Sequence, residues 1–161
     1  MNNFKFVALS HLEFAHLNDL SKDELLRKNI VLMTVDKFPG FPCRVTLEDA
    51  EIGEEVFLMS YNYHSATSPY QSSGPVFIRK NKVSEDYQVN VIPRMFTQRL
   101  LSLRAYDKKG MMIKADVFEG NFLKDKIQEF FNNEKIDYLH IHNAKPGCFN
   151  CLVKKVEDGA K

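Results

Sequence analysis

The chain has 161 residues, 44% of them hydrophobic and 27% charged, which is typical of a soluble globular protein and suits one domain with a single core. Lysine and arginine number 22 against 21 aspartates and glutamates, so no bulk positive charge favours nucleic acid and we expect no nucleic-acid partner. The start, MNNFKFVALSHLEF, has no basic segment followed by a long apolar run, so we expect neither a signal peptide nor a membrane span.

The first half of the chain is rich in strand patterns separated by turns. SKDELLRKN (21–29) predicts a short helix, because Ser21 and Glu24 stand at capping-box spacing. Residues 65–75, SATSPYQSSGP, predict a loop, whereas residues 80–93 are polar, weakly patterned and without a predicted element. Strands are predicted at FKFVALS, IVLMTVD, CRVTLEDA, EVFLMSYNYH and PVFIRK.

The stretch LLSLRAYDKKGMMIKADVFEG predicts a β-hairpin. A loop of Lys108, Lys109 and a left-handed Gly110 would place Asp107 opposite Met111. This register predicts an apolar face with Leu101, Leu103, Ala105, Ile113, Ala115 and Val117, and a polar face with Ser102, Arg104, Tyr106, Met112, Lys114 and Asp116. Arg104 and Asp116 would then be diagonal neighbours, able to form a salt bridge.

NFLKDKIQEFFNN (121–133) predicts an amphipathic helix whose apolar stripe carries Leu123, Ile127, Phe130 and Phe131. We therefore expect an α+β fold, a single domain over residues 1–161. Its curved, mostly antiparallel sheet would carry one long C-terminal helix (121–133) on one face, and a short N-terminal helix would complete it.

Several phrases resemble a bacterial group, domain-of-unknown-function family 1203: FPCRVTLEDA, SPYQSSGPVFI, LSLRAYDKKGMM and HIHNAKPGCFNC. They follow one another in the family's order and span about Phe41 to Cys151. The family has no established activity, so the resemblance transfers no catalytic residue. It implies a single-domain, cytoplasmic bacterial protein. The first 40 residues and the tail LVKKVEDGAK, where an Arg would be expected, match less clearly.

The stretch HIHNAKPGCFNC (140–151) contains the residues with the richest chemistry. His140 and His142 alternate with Leu139 and Ile141, so the two histidines share the face away from the helix. Lys145-Pro146-Gly147-Cys148 fits a type II turn. Direct strand pairing about that turn would place Lys145 opposite Cys148 and His142 opposite Cys151.

Three interpretations of this hairpin remain open. His140, His142, Cys148 and Cys151 form a His2Cys2 set suited to zinc, so the cofactor expectation is zinc or none. The C-x-x-C pair could serve redox chemistry beside His142 or Lys145, although a thioredoxin-like context is missing. In the simplest interpretation, the histidines are hydrogen-bonded sheet residues and the cysteines small buried hydrophobes.

The odd cysteine count bears on the compartment. Secreted disulfide scaffolds have dense, even counts, whereas this chain has three cysteines, Cys43, Cys148 and Cys151. We therefore expect a cytoplasmic protein with all three thiols reduced at rest.

The polar side of the predicted sheet suggests a pocket for a small molecule. A loop rich in hydroxyls follows the strand that ends at His64, although it is also a plausible solvated loop. Two arginines would clamp a carboxylate or phosphate if both converge with His64 or His142. The candidate ligand-binding residues are Arg44, Tyr61, His64, Tyr70, Arg104 and His140; the candidates for acid–base catalysis are His64 and His142.

The sequence therefore predicts an uncharacterised protein that binds or converts a polar or anionic small molecule in a pocket of His, Arg, Tyr and Cys. The alternative is a structural, zinc-stapled interaction domain without enzymatic activity. Walker, G-x-G-x-x-G, H-E-x-x-H and G-x-S-x-G motifs do not occur in the sequence, so nucleotide cofactors and serine hydrolase chemistry lack support. The substrate, the reaction and the oligomeric state stay open.

Overall fold

The computed structural model describes residues 1–156 and is mostly β. Its strands are β1 (Asn3–Val7), β2 (Val31–Thr34), β3 (Glu55–His64), β4 (Ser72–Arg79), β5 (Leu100–Tyr106), β6 (Met112–Glu119), β7 (Tyr138–Asn143) and β8 (Phe149–Val156). Its α-helices are α1 (Lys22–Arg27), α2 (Arg94–Thr97) and α3 (Leu123–Phe131), and 3-10 turns span His11–Glu13, Ala15–Asp19 and Gly120–Phe122.

The strands form two antiparallel sheets. The large sheet has the order β1-β8-β7-β5-β6, and the small sheet has the order β2-β3-β4. Strand β1 therefore pairs with the last strand of the chain, which ties the N-terminal segment to the C-terminal hairpin. Within residues 1–156, no helix is long and apolar enough to cross a membrane.

The predicted α+β fold with one curved sheet and a long C-terminal helix is wrong. The fold is mostly β with two separate sheets, and the predicted helix at 121–133 is a nine-residue helix, α3, preceded by a 3-10 turn. The predicted strand at 43–50 is also wrong, because this segment makes only isolated bridges and a tight turn in which Leu47 has φ +47°. The alternation of apolar and polar residues here does not correspond to two faces, because Arg44 and Thr46 are buried together with Val45 and Leu47.

Three apolar clusters hold the described part of the chain together, and the smallest contains Val35, Phe41, Ala50 and Val56. In the first, Ile127 and Phe130 of α3 join Leu103, Leu139 and Ile141 of the large sheet. This explains the apolar stripe of the helix, and it leaves the opposite face of β5 and β7 free for polar residues. Each fully buried side chain of this size stabilises the fold by roughly 1.5–3 kcal/mol.

The second cluster packs the N-terminal helices against the small sheet. Leu17 and Leu25 lie with Phe57 of β3 in a buried group. The capping box predicted for α1 is present: Ser21 accepts from the backbone of Glu24, and the Glu24 carboxylate accepts from the backbone of Ser21. The cap satisfies N–H groups that would otherwise lack partners at the start of α1.

The turn of the β5–β6 hairpin is as predicted. Gly110 has φ +75°, and the backbone N–H of Asp107 donates to the carbonyl of Met111 at 3.0 Å. A second bond runs from the N–H of Gly110 to the carbonyl of Asp107 at 2.9 Å. Glycine suits this position because it adopts positive φ without a steric penalty.

The strand register beyond that turn differs from the prediction, because a β-bulge shifts β6 by one residue. Leu103 pairs with Asp116 and Arg104 pairs with Ala115. Asp116 therefore faces α3, where it forms an ion pair with Lys126 at 2.8 Å, and the predicted Arg104–Asp116 salt bridge is wrong. The same shift moves two predicted core residues, Ala115 and Val117, to the polar side, and it leaves Ile113 unpaired at the bulge.

Candidate functional site

The polar side of the large sheet is built by three directly opposed pairs in β5 and β7. Their alternation places polar side chains together on the face away from α3. The pairs are Ser102 with His142, Arg104 with His140 and Tyr106 with Tyr138. The sequence prediction that both histidines share this face is confirmed by the burial of Leu139 and Ile141 in the core on the other side.

The small sheet covers this surface with the end of β3. The Tyr63 ring stacks on Phe149 of β8 at 4.9 Å between centroids and lies 5.2 Å from the His142 ring. The His64 ring lies 5.0 Å from the ring of His140. We call the resulting group the histidine–tyrosine cluster; its members are Tyr63, His64, Tyr106, Tyr138, His140, His142 and Phe149.

Both ring nitrogens of His64 have hydrogen-bond partners. Nδ1 lies 2.7 Å from the carbonyl oxygen of Tyr70, and Nε2 lies 2.7 Å from the hydroxyl of Tyr138. Because a carbonyl only accepts, Nδ1 carries the proton and donates, and Nε2 accepts from the phenol. His64 thereby joins the loop after β3 to β7, and neither of its nitrogens is free for a ligand.

His142 has one satisfied and one unsatisfied nitrogen. Its Nδ1 donates to the carbonyl of Gly147 at 2.9 Å, so Nε2 carries a lone pair. That Nε2 is buried and has no hydrogen-bond partner within residues 1–156. The pKa of His142 is lowered to about 4, mainly by burial, with Arg104 and Arg44 acting in the same direction and the hydrogen bond to Gly147 acting against it. At neutral pH, His142 is an uncharged hydrogen-bond acceptor.

His140 is similar but lacks the backbone anchor. Its Nδ1 is buried and unpartnered in the described part of the chain. Its pKa is lowered to about 3, mainly by burial and to a lesser extent by His64, His142 and Arg104. An unsatisfied buried polar atom costs about 1–3 kcal/mol, so two in one cluster need an explanation.

Arg104 is the half-buried cation of this surface. Its Nε contacts the Ser102 hydroxyl at 3.4 Å, which is a weak hydrogen bond. Among residues 1–156, no carboxylate forms an ion pair with Arg104. It faces Ala115 on one side and His140 on the other. The guanidinium charge is therefore available to an anion.

Arg44 is fully buried and holds the backbone. Its Nε donates to the carbonyl of Phe149 at 2.7 Å, and Nη1 donates to the carbonyl of Pro42. The Arg44 side chain also forms a hydrogen bond with the side chain of Cys148, and burial lowers the pKa of its guanidinium group. Arg44 and Arg104 both contribute to the lowered pKa of His142. Within residues 1–156, the Arg104 side chain forms no hydrogen bond to the backbone, whereas Arg44 forms two.

The predicted register of the C-terminal hairpin is wrong. His142 pairs with Phe149 because the strands close at Asn143 and Cys148, two residues earlier on β7 than predicted, and a bulge of one residue in β8 then places Cys151 opposite Ile141. The turn spans residues 144–147, closed by the Asn143 N–H donating to the Cys148 carbonyl at 2.9 Å. Cys151 therefore points into the first core cluster, on the side away from the histidines.

The two C-terminal cysteines lie in different surroundings. Cys151 is fully buried, and burial raises its pKa well above the usual thiol range. Cys148 is half-buried, and its Sγ accepts from Nδ2 of Asn143 at 3.3 Å. Within residues 1–156, no group of three or more His, Cys, Asp or Glu side chains is arranged to hold a metal ion. The His2Cys2 zinc set of His140, His142, Cys148 and Cys151 stays a prediction from the sequence.

Two other predicted ligand residues, Tyr61 and Tyr70, are not members of the histidine–tyrosine cluster. The Tyr61 hydroxyl donates to Glu13 at 2.8 Å, and its ring packs on Phe14, in the second apolar cluster. Tyr70 is exposed and contributes its carbonyl to His64, while its ring lies 6.2 Å from Tyr106.

Tyr106 was predicted on the polar face of its strand, and Tyr138 continues the alternation of β7 in the same way, but neither was included among the candidate site residues. Burial raises the pKa of Tyr106 to about 12, so its phenol stays protonated at neutral pH. Phe149 could not be found, because its position depends on the β8 bulge.

No curated protein and no solved structure shows significant similarity to the chain. A family model described as "Protein of unknown function (DUF1203)" matches residues 40–155. The matched region contains every member of the histidine–tyrosine cluster and both arginines. The chain belongs to the DUF1203 family.

Proposed function

We propose that this protein binds a small anionic molecule that also carries a hydroxyl group, at the polar face formed by Ser102, Arg104, His140 and His142. The observation that supports it most directly is the pair of buried imidazole nitrogens beside Arg104, since within residues 1–156 neither nitrogen has a hydrogen-bond partner and Arg104 pairs with no carboxylate. Such groups are costly in an empty site and favourable when a ligand supplies the missing partners.

The charge of the surface favours an anion. Arg104 is not neutralised by any carboxylate of residues 1–156, and the two neighbouring histidines are uncharged at neutral pH. A guanidinium fork binds a carboxylate or phosphate through two parallel hydrogen bonds. Arg104 is therefore the anchor for the anionic group.

The free nitrogen of His142 favours a donor on the same ligand. Its proton is held on Nδ1 by the Gly147 carbonyl, so Nε2 can only accept. A ligand hydroxyl would satisfy it, and a base in this position can also take up a hydroxyl proton in a reaction. His142 suits that role better than His64, since both nitrogens of His64 are already bonded.

Calorimetric titration with a graded set of compounds tests the proposal. Lactate and glycerol 3-phosphate carry both an anion and a hydroxyl, acetate and inorganic phosphate lack the alcohol, and glycerol lacks the charge. We expect the bifunctional compounds to bind and the others to bind at least tenfold more weakly. Binding of glycerol as tight as that of glycerol 3-phosphate would contradict the anionic specificity.

Two variants connect binding to the named residues. Arg104→Gln removes the cation, and His142→Asn keeps a donor for the Gly147 carbonyl but removes the Nε2 acceptor. Each should weaken binding of the best compound at least tenfold, while Lys109→Gln at the exposed hairpin turn leaves it unchanged. Binding that survives both site variants, or no binding by any compound, would refute the proposal.

A further inference from the structure

A second cavity lies away from the histidine–tyrosine cluster. Its volume is about 260 Å³, and it opens between the Phe38–Pro39 turn, residues 48–51, the end of β4 and α2 with the two residues that follow it. Pockets for drug-sized ligands are roughly 300–1,000 Å³. This cavity is therefore suited to a molecule of about the size of one amino acid.

Four charged groups of the cavity wall already have partners. Arg99 donates to Asp49 through both terminal nitrogens of its guanidinium group, from Nη1 to Oδ2 at 2.8 Å and from Nη2 to Oδ1 at 2.5 Å. Arg79 binds Glu48 at 3.1 Å through Nη1, and its Nη2 binds Glu54, outside the lining. Because the charges within each pair offset each other, these pairs give the cavity no preference for a cation or an anion.

The groups without partners carry opposite charges. Within residues 1–156, the side chains of Glu51, Arg94 and Gln98 form no hydrogen bond or ion pair, and all three residues line the cavity and are exposed. Arg79 also lines it, is 9% exposed, and keeps a buried Nε without an acceptor. The cavity thus offers one free carboxylate, one free guanidinium, one amide and one buried donor.

The rest of the wall is apolar. Phe38 is 53% exposed although it is a large aromatic residue, and Pro39 and the buried Met95 lie beside it in the lining. An exposed aromatic at the edge of a cavity gains contact area when an apolar group packs against it. A ligand with a hydrophobic portion is therefore favoured over a purely polar one.

We propose that this cavity binds a free α-amino acid with an apolar side chain. A lone anion would pair with Arg94 but leave the Glu51 carboxylate beside it without a partner, and a lone cation would pair with Glu51 but leave Arg94 without one. A zwitterion avoids both conflicts: its carboxylate accepts from Arg94 and Nε of Arg79, and its ammonium donates to Glu51. Phe38, Pro39 and Met95 form the surface for its side chain.

The ligand class is tested with the full-length protein and the twenty L-amino acids, by ligand-observed NMR followed by calorimetry. We expect Leu, Ile, Val, Met or Phe to bind most tightly. For the best ligand, the N-acetyl derivative and the C-terminal amide should each bind at least tenfold more weakly, because each lacks one of the two charges. The proposal is overturned if no amino acid binds, or if both derivatives bind as well as the zwitterion.

Substitutions at exposed positions test the location of the site, because such substitutions have little effect on the stability of the fold. Arg94→Gln and Glu51→Gln should each weaken binding at least tenfold. Arg27→Gln on α1 and Glu119→Gln at the end of β6 remove the same charges at positions outside the cavity, so they should leave amino acid binding unchanged. Arg104→Gln should also leave amino acid binding intact, which separates this site from the anion site. Equal binding by Arg94→Gln and the parent protein would place the amino acid elsewhere.

Discussion

The hydroxyl of Tyr138 donates to Nε2 of His64 at 2.7 Å, and this bond joins the large sheet to the small one. Tyr138 belongs to β7 and His64 ends β3. The other nitrogen of His64 is fixed by the Tyr70 carbonyl, so the tautomer of the histidine is determined by its surroundings. The pair ties the loop after β3 to β7, the strand that carries His140 and His142.

Removal of the Tyr138 hydroxyl should therefore destabilise the protein. Tyr138→Phe leaves a buried acceptor on His64 without its donor, which costs about 1–2 kcal/mol. Tyr63→Phe is the matched control, because it keeps the ring stacked on Phe149 and should change stability by less than about 0.5 kcal/mol. Urea denaturation measures both, and equal loss in the two variants would contradict a specific role for the Tyr138–His64 bond.

Stability should fall as the pH decreases from about 7 to about 5. The unfolded histidines take up protons near the ordinary pKa of 6.5, whereas the folded protein keeps His140 neutral to about pH 3 and His142 to about pH 4. The stabilisation is therefore complete above pH 6.5 and is lost as the pH falls toward the folded values. Each histidine accounts for about 1–2 kcal/mol over this window.

The same pH series with His142→Asn isolates one of the two contributions. Its free energy of unfolding should depend on pH about half as steeply between pH 7 and pH 5. Equal slopes for the variant and the parent protein would show that His142 is not held neutral by the fold.

Alternation along single strands predicted part of the site. The pattern of β7 placed His140 and His142 on one face because neighbouring Leu139 and Ile141 needed burial against α3. The turn at Gly110 was also predictable, since its spacing and its glycine are local properties. Such features depend on residues that are close in sequence.

The contacts between strands were not predictable in the same way. Bulges occur in β5–β6, in β7–β8 and near the end of β3, and each inserts one residue that a strict period of two does not reveal. One inserted residue moved Asp116 away from Arg104, and another moved Cys151 away from His142. The arrival of His64 from a separate sheet depends on long-range packing.

The turn at Gly110 should tolerate no side chain. A Cβ there would lie 2.4 Å from Cβ of Ala66 in the loop after β3, in addition to the strain at φ +75°. Gly147→Ala is the control, because its φ of +78° is nearly the same and no atom lies within 4 Å of the added Cβ. Gly110→Ala should cost about 1–3 kcal/mol more than the control, through overpacking. Equal thermal denaturation of the two variants would contradict the close approach of the loop.

The two C-terminal cysteines should respond differently to serine. Cys151→Ser places a hydroxyl in the first core cluster and should cost about 1–3 kcal/mol, with Cys151→Ala less damaging because it adds no polar atom. Cys148→Ser keeps an acceptor for Asn143 at a half-buried position and should cost less than about 0.5 kcal/mol. Urea denaturation in the presence and absence of a chelator measures both. A His2Cys2 zinc staple would instead make the two serine variants equally unstable and the parent protein sensitive to the chelator.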